Sequence, residues 1–455
     1  MNDLPVVVVG AGPIGLAAAT ELRERGLTPL VLERGDSAGA AVAQWNHVRV
    51  FSRWAELIAP AARRLLESTG WTAPQEDSYP TGSDWAGDYL VPLAKALGED
   101  VVRVGTEVIG ISRRGRDRVV DAGRESEPFT VRVRHADGRE ERLLARAVID
   151  ASGTWGGPNP LGGDGLPALG EAAAAHAISY RVPDLDDEHV RARYAGAHTV
   201  IAGSGHSALT AIIALAGLAE QAPGTRITWV LRRGEVGNTF GGGDADQLPA
   251  RGALGQRAKR ALDQGLLQVV TGFRTAAVEP ADGDRVRLVS EAGTRIEDVD
   301  QVVTLTGFRP QLEWLSEVRL GLDPVLQAPV RLAPLIDPNV HSCGTVYPHG
   351  VTELSHPEPG FYLAGMKSYG RAPTFLALTG YEQVRSIAAE LAGDHESATR
   401  VELTLPDTGV CGGAGVFDNP GTVEEAGAGG GCCGGGSSAA PQLITLGTGA
   451  GTGCN

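Results

Sequence analysis

Cysteine is scarce in this 455-residue chain. Five occur, at 343, 411, 432, 433 and 454, and four of them fall in the last 45 residues. An odd number placed this way excludes a disulfide framework. No Cys-x-x-Cys pair occurs, which removes the usual redox-active dithiol. Long apolar runs are also missing: no stretch reaches the roughly 18 residues that a bilayer span needs. Positive charge is in deficit, with 40 Lys and Arg against 55 Asp and Glu, a net −15. That argues against nucleic acid or an anionic membrane as partner, since both attract basic surfaces. The chain enters an apolar run within five residues of Met1, with no secretory n- and h-region before it, so the cytoplasm is expected. The length predicts roughly three domains, and a hydrophobic fraction of 42% suits a globular protein.

Against these absences stand two glycine-rich patterns. The first is VVVVGAGPIG at 6–15. The β-branched run Val6 to Val9 predicts a buried strand. Gly10 permits the tight turn, Gly12 lets the backbone approach a pyrophosphate, and Gly15 lets the helix lie close on the strand. The helix is expected to run to about Arg25, with Gly26 ending it. A second strand, Thr28 to Leu32, delivers Glu33, followed by Arg34. A carboxylate there accepts bonds from ribose hydroxyls and repels a 2′-phosphate, which indicates FAD or NAD. The second pattern is GSGHSA at 203–208, after a strand. Gly203 and Gly205 keep the first two glycines, Ala208 replaces the third, and His206 and Ser207 open the helix. The next strand ends in Arg232 and Arg233, where the first pattern has its glutamate. Two guanidinium groups suit a 2′-phosphate, hence NADPH; a solvated strand end is the alternative.

Two further segments share one form: ARAVIDASGTWGGPNP at 145–160 and DQVVTLTGFRP at 300–310. Each is an apolar strand ending in small residues, with Gly153 and Gly307 at the crossings. They read as hinges around an inserted domain. The expected class is α/β: a Rossmann-like FAD domain with a Rossmann-like NADP domain inserted, and a Gly-rich C-terminal tail. The boundaries expected are 1–157 for the first part of the FAD domain, 158–305 for the NADPH domain, 306–400 for the closing part, and 401–455 for the tail.

These pieces, with GFYLAGMKSYGRAP at 360–373, resemble the two-dinucleotide-domain flavoproteins, and within them the NADPH-dependent flavin-containing monooxygenases. WNHVRVFSRW at 45–54 and KSYGRAP at 367–373 resemble a bacterial subgroup associated with arsenic resistance. The family signature is half kept: His176 and Tyr180 stand at its spacing, but Gly170, Ala172 and Arg181 depart from it. Met366 follows Gly365 where the superfamily has aspartate. The helix expected to start at about Ala372 is a substitute group facing the cofactor.

The resemblance implies that Gln44, Trp45, Arg49, Phe51 and Ser52 line the flavin, although Trp45 and Phe51 also suit plain core. Lys367, Tyr369 and Arg371 are candidate catalytic residues, able to steady negative charge beside a reduced flavin; surface pairing is the alternative. The Gly-rich stretch 232–252 is expected to be a long loop, functional or disordered, able to close on NADPH or substrate. Cys343 reads as structural. The tail from Val401 has 16 glycines, five acids and no Lys or Arg, and reads as a flexible appendage. Its neighbours Cys432 and Cys433 are candidate ligands for a soft metal or metalloid; incidental cysteines are the alternative.

The activity implied is FAD- and NADPH-dependent oxygenation by O₂ of a soft nucleophile (sulfur, nitrogen, selenium or trivalent arsenic) through a C4a-(hydro)peroxyflavin. An NADPH-dependent reductase of a quinone, disulfide or metal ion is the runner-up. A metalloid-sequestering flavoprotein is the non-enzyme alternative. A small molecule and O₂ are the partners, and a homo-oligomer is left open.

Overall fold

The computed structural model describes residues 3–403 except Gln247, 341–347 and Thr374. Cys343 and the tail cysteines Cys411, Cys432, Cys433 and Cys454 lie outside the described residues. Two five-stranded parallel sheets carry the fold. The first takes β1 (Val6–Val9), β2 (Pro29–Leu32), β3 (Val102–Arg103), β7 (Ala147–Asp150) and β16 (Phe361–Leu363), in the order β16-β7-β1-β2-β3. Between β3 and β7 an antiparallel sheet is inserted: β4 (Thr106–Arg113), β5 (Phe129–His135) and β6 (Glu140–Ala145). The second parallel sheet takes β8 (Ile178–Ser179), β9 (His198–Ala202), β10 (Arg226–Val230), β11 (Gln268–Val270) and β15 (Gln301–Thr304), in the order β11-β10-β9-β15-β8. Between its β11 and β15 stands another antiparallel sheet: β12 (Thr275–Pro280), β13 (Val286–Ser290) and β14 (Arg295–Val299).

The two halves repeat one plan. In each, a glycine turn follows the central strand, the next two strands extend one side, and a three-stranded insert precedes the strand that returns to the other side. This explains why 145–160 and 300–310 look alike in sequence: β7 and β15 are equivalent strands. Both are near-continuous apolar runs, as parallel strands buried on both sides require; Val148, Ile149, Val302 and Val303 are fully buried.

Helix Pro13–Glu24 packs between the first sheet and helix Ala377–Leu391. It ends one residue before the expected Arg25, and Gly26 (φ +72°) turns the chain in the left-handed region. Helix 377–391 starts five residues later than the expected Ala372. Residues Gly365–Tyr369 instead form a 3₁₀ turn, closed by Gly370 at φ +58°. The 232–252 stretch is not irregular throughout. Short 3₁₀ turns at Gly237–Phe240 and Gly243–Ala245 pack on helix Pro249–Asp263, where a Cβ on Gly255 would lie 1.8 Å from the Phe240 carbonyl oxygen.

One buried charge cluster ties the first insert to the closing segment. Glu358 is 1% exposed. Its oxygens accept from Arg113 Nε at 2.8 Å and Arg124 Nη2 at 2.7 Å. Arg124 also donates to the Glu317 carbonyl at 2.9 Å, so the 115–127 loop and the 317–319 segment share one anchor. Burial raises the Glu358 pKa, but the bonds from Arg124 and Arg113 outweigh it, and the carboxyl ends below its ordinary value. A depressed carboxyl stabilises the fold above its unfolded pKa of about 4.3, and that contribution disappears as pH falls through the folded value. Glu358→Gln leaves two buried guanidiniums without counter-charge and should cost about 3–5 kcal/mol in urea unfolding. The variant should also lose this component of the pH dependence below about pH 4.3.

Candidate dinucleotide sites and the junction between them

In the first turn Gly10 adopts φ +97° and donates to the Leu32 carbonyl at 2.8 Å. A Cβ on Gly10 would stand 3.0 Å from both the Ala151 oxygen and Ser152 Cα, so the chain leaving β7 crosses directly against the turn. A Cβ on Gly15 would lie 1.9 Å from the Gly10 oxygen, which places helix against turn. At Gly12 the space is open: a Cβ meets nothing within 4 Å. Gly12 caps helix 13–24, and Pro13 at its first turn lacks an N–H that the helix start would leave unpaired. An open glycine at a positive helix end fits a pyrophosphate. Glu33 lies beside it. Its Oε2 accepts the Ala11 N–H and its Oε1 the Gly35 N–H, both at 2.7 Å. Arg34 is exposed.

The loop after Glu33 folds back over the turn, with Gly39 N–H donating to the Ala11 carbonyl at 2.9 Å. Trp45 packs at 6.3 Å from Trp85 and covers Gly82, where a Cβ would fall 2.7 Å from its ring. Arg49 is exposed and donates to the Tyr79 carbonyl. Ser52 lines a narrow cleft with Glu56, Leu248 and residues 376–378. Phe51 reaches across to the second pattern, its ring 5.0 Å from that of His206.

The second turn repeats the first. Gly203 has φ +128°, and a Cβ there would lie 2.2 Å from the Leu305 oxygen; Gly205 is open within 4 Å. Ala208 is fully buried where helix His206–Gln221 meets its strand. Arg233 Nη2 donates to Ser204 Oγ in the turn at 2.9 Å, and Arg232 donates to the Gly163 carbonyl at 3.3 Å. Ser207 is exposed. Burial, and then Arg251, push the His206 pKa down to about 4 against the opposing pull of Asp246. A neutral imidazole sits comfortably at a positive helix end, where a cation would not. Sequence reasoning missed Trp229. Its fully buried indole donates through Nε1 to the Gly203 carbonyl at 2.7 Å and fixes the turn from beneath. The signal was available: a tryptophan inside an apolar strand needs an acceptor for its N–H.

Between the turns, the two crossings pair with each other. Asn159 N–H donates to the Gly307 carbonyl at 2.9 Å and Arg309 N–H to the Gly157 carbonyl at 2.8 Å. Trp155 stacks at 5.1 Å on Phe308, bonds Gln44 Oε1 at 2.9 Å, and lies 5.2 Å beneath the Arg181 guanidinium.

Lys367, Tyr369 and Arg371 do not converge. Lys367 is 1% exposed and points inward to an ion pair with Asp150 Oδ2 at 2.7 Å, donating also to Ser152 Oγ at 3.0 Å. Gly153, next in the crossing, has φ +69°. Tyr369 is buried, its ring edge-on to Phe375 at 4.9 Å, and burial pushes its phenol well up. Arg371 alone faces solvent. Gly365 (φ +70°) donates to Gln383 Oε1 at 2.8 Å, and Met366 is half-buried. His176 and Tyr180 are apart from both turns. His176 meets the Asp284 carbonyl at 3.0 Å in a hollow of about 850 Å³ at the opposite ends of the second sheet's strands. Tyr180 donates to the buried Glu171 at 2.5 Å.

Residues 7–330 match the pyridine nucleotide-disulphide oxidoreductases. The chain belongs to that family. It is an oxidoreductase with two dinucleotide-binding folds, using FAD and NAD(P)H. It is 26% identical over 320 residues to a ferredoxin–NADP reductase of Ignicoccus hospitalis, covering 70% of this chain and 81% of that protein. It is 29% identical over 204 residues to an indole-3-pyruvate monooxygenase of rice, covering 45% of this chain and 43% of the relative. Among solved structures, a bacillithiol disulfide reductase from Bacillus cereus superposes with TM-score 0.62 at 19% identity, over 86% of this chain and 99% of the other. A flavin-containing monooxygenase from Stenotrophomonas maltophilia gives 0.55 at 23%, over the same shares. No helix among the described residues is long and apolar enough to cross a membrane.

Family membership makes the second turn testable through Trp229. Trp229→Phe keeps the ring but leaves the Gly203 carbonyl unpaired. The variant should lose about 1–3 kcal/mol in chemical denaturation. It should also bind pyridine nucleotide several-fold more weakly by fluorescence titration, while its flavin content stays at the wild-type level.

Proposed function

We propose that the protein is an NADPH-dependent FAD monooxygenase that oxygenates a soft nucleophile: sulfur, nitrogen, selenium or trivalent arsenic. FAD occupies the unit formed by 1–157 and 306–400, and NADPH the unit at 158–305. The observation that carries this reading is the reversal of charge after the second strand of each half. Glu33 stands beside one glycine turn, and Arg233, bonded to Ser204, beside the other. A carboxylate suits ribose hydroxyls, and a guanidinium suits a 2′-phosphate.

When bound, the flavin supplies hydride acceptance and the activation of O₂. The chain's own residues bind and orient. The open faces of Gly12 and Gly205 admit the two pyrophosphates against their helix starts. Phe51 against His206, and Trp155 against Phe308, give the junction an aromatic lining. Likeness to plant and bacterial monooxygenases supports the oxygenase reading; the ferredoxin–NADP reductase, matched over most of its length, favours a reductase as second reading. Capture of a thiophilic ion by Cys432 and Cys433 stays an accessory proposal.

Two measurements test these assignments. Arg232→Ala with Arg233→Ala should raise KM for NADPH far more than for NADH, each lost charge-assisted contact being worth roughly 1.5–3 kcal/mol; an unchanged preference moves selectivity elsewhere. With ¹⁸O₂ and a thioether, labelled sulfoxide should form in step with NADPH consumption. Turnover that reduces a quinone but puts no label in product makes the protein a reductase.

A further inference from the structure

The segment after Glu33 reaches the second half as a braced arm. Its base is tied to the first glycine turn, Gly39 N–H donating to the Ala11 carbonyl at 2.9 Å. Residues 48–54 run antiparallel to 78–82 and bond to them. Val50 N–H donates to the Pro80 carbonyl, Gly82 N–H to the Val48 carbonyl and Trp54 N–H to the Ser78 carbonyl, each at 3.0 Å, and Arg49 bridges to Thr81. Two side contacts hold the arm from outside. His47 Nδ1 lies 3.6 Å from Asp184 Oδ2, and Gln44 Oε1 accepts from Trp155 Nε1 at 2.9 Å. Phe51 is the tip of this arm, so the fold fixes where its ring goes.

The ring lands at one defined point. It lies 5.0 Å from the imidazole of His206, tilted at 54°, and the neighbouring Ser52 shares a narrow cleft with Leu248. His206 is the first residue of helix His206–Gln221 and directly follows Gly205, the open glycine of the second turn. Both rings are half-buried, so part of each stays accessible beside that turn.

The second turn has two unlike sides, because β10 and β15 flank β9. On the β10 side Arg233 bonds Ser204 Oγ at 2.9 Å, and the residue after the second strand of such a fold meets the adenosine ribose. The adenosine half of a dinucleotide therefore belongs to the β10 side. With the pyrophosphate at the helix start, the nicotinamide half is left to the β15 side. There the crossing at Leu305 passes against Gly203. There also Asp184, a few residues beyond β8, receives the arm, since β8 pairs with β15. The arm that carries Phe51 thus stands on the nicotinamide side.

We infer that Phe51 is a pyridine-nucleotide residue lent by the flavin half: it forms the wall against which the nicotinamide riboside of NADPH seats, and the second site is complete only with the arm in place. A flat apolar ring offers stacking area to another planar ring and needs no charge to do so. His206 backs the ring from the helix start. This rests on the reading that NADPH occupies 158–305. It moves Phe51 away from the flavin lining that its place after Glu33 first suggested.

The test is equilibrium binding to the FAD-loaded, oxidised full-length protein, so its outcome does not depend on oxygenation. NADP+ and 2′,5′-ADP, which carries the adenosine half alone, are titrated by calorimetry into wild type, Phe51→Ala and Phe51→Tyr. Phe51→Ala should weaken NADP+ about five-fold or more, the scale of one lost aromatic contact, and leave 2′,5′-ADP within about two-fold of wild type. Phe51→Tyr should restore NADP+ affinity, and both variants should keep the wild-type FAD content. NADP+ binding that is unchanged or tighter in Phe51→Ala overturns the inference; tighter binding makes the ring a plug. An equal loss for both ligands overturns it too, because the ring would then act on the turn as a whole. So does loss of FAD, which returns Phe51 to the flavin. If wild type binds NAD+ but neither NADP+ nor 2′,5′-ADP, the NADPH reading falls, and the same comparison with NAD+ and 5′-AMP decides Phe51.

Discussion

Each half of the molecule depends on a backbone contact that only glycine allows. The chain leaving β7 passes against Gly10, and the chain leaving β15 passes against Gly203, at distances a Cβ would occupy. Any side chain there would push the crossing off the turn. The turn would then lose the helix start that faces the ligand crevice, and the crossing would lose its register with its counterpart. In parallel sheets of this kind ligands lie beyond the carboxyl ends of the strands. The contact therefore shapes the binding side of the sheet as well as its packing.

Because both halves obey the same constraint, their crossings emerge alike and pair as 157–159 against 307–309. That short antiparallel pairing is the mechanical link between the halves. Around it the loop after Glu33 makes a second set of contacts: Gln44 to Trp155, His47 to Asp184 at 3.6 Å, and Phe51 to His206. The half-buried rings of Phe51, His206, Trp155 and Phe308 flank this link.

The distribution of charge follows burial. Glu358 is buried against Arg113 and Arg124, and Lys367 against Asp150, since an unpaired ion away from water costs several kcal/mol; buried Glu171 is held instead by the Tyr180 hydroxyl and two backbone N–H groups. Lys367 shows how misleading a cluster of functional residue types is in one dimension. Lysine, tyrosine and arginine within five residues suggested one site. The 3₁₀ turn sends the first two into the interior and leaves only Arg371 outside.

Much of the architecture was legible in the sequence, because glycine spacing, buried β-branched strands and strand-end charge are local requirements that a short window records. The two turns, Glu33, the arginine pair after β10 and the likeness of the two crossings are of this kind. The limits of helix 377–391, the packed state of the 232–252 stretch and the role of Trp229 are different. The helix packs on a partner more than 350 residues away in sequence, and the 232–252 stretch and Trp229 depend on which backbone oxygen the fold brings within reach, which the sequence does not name. The sequence by itself determined which backbone turns are possible; the tertiary structure decided which side chains meet, because that depends on how the two halves close on each other.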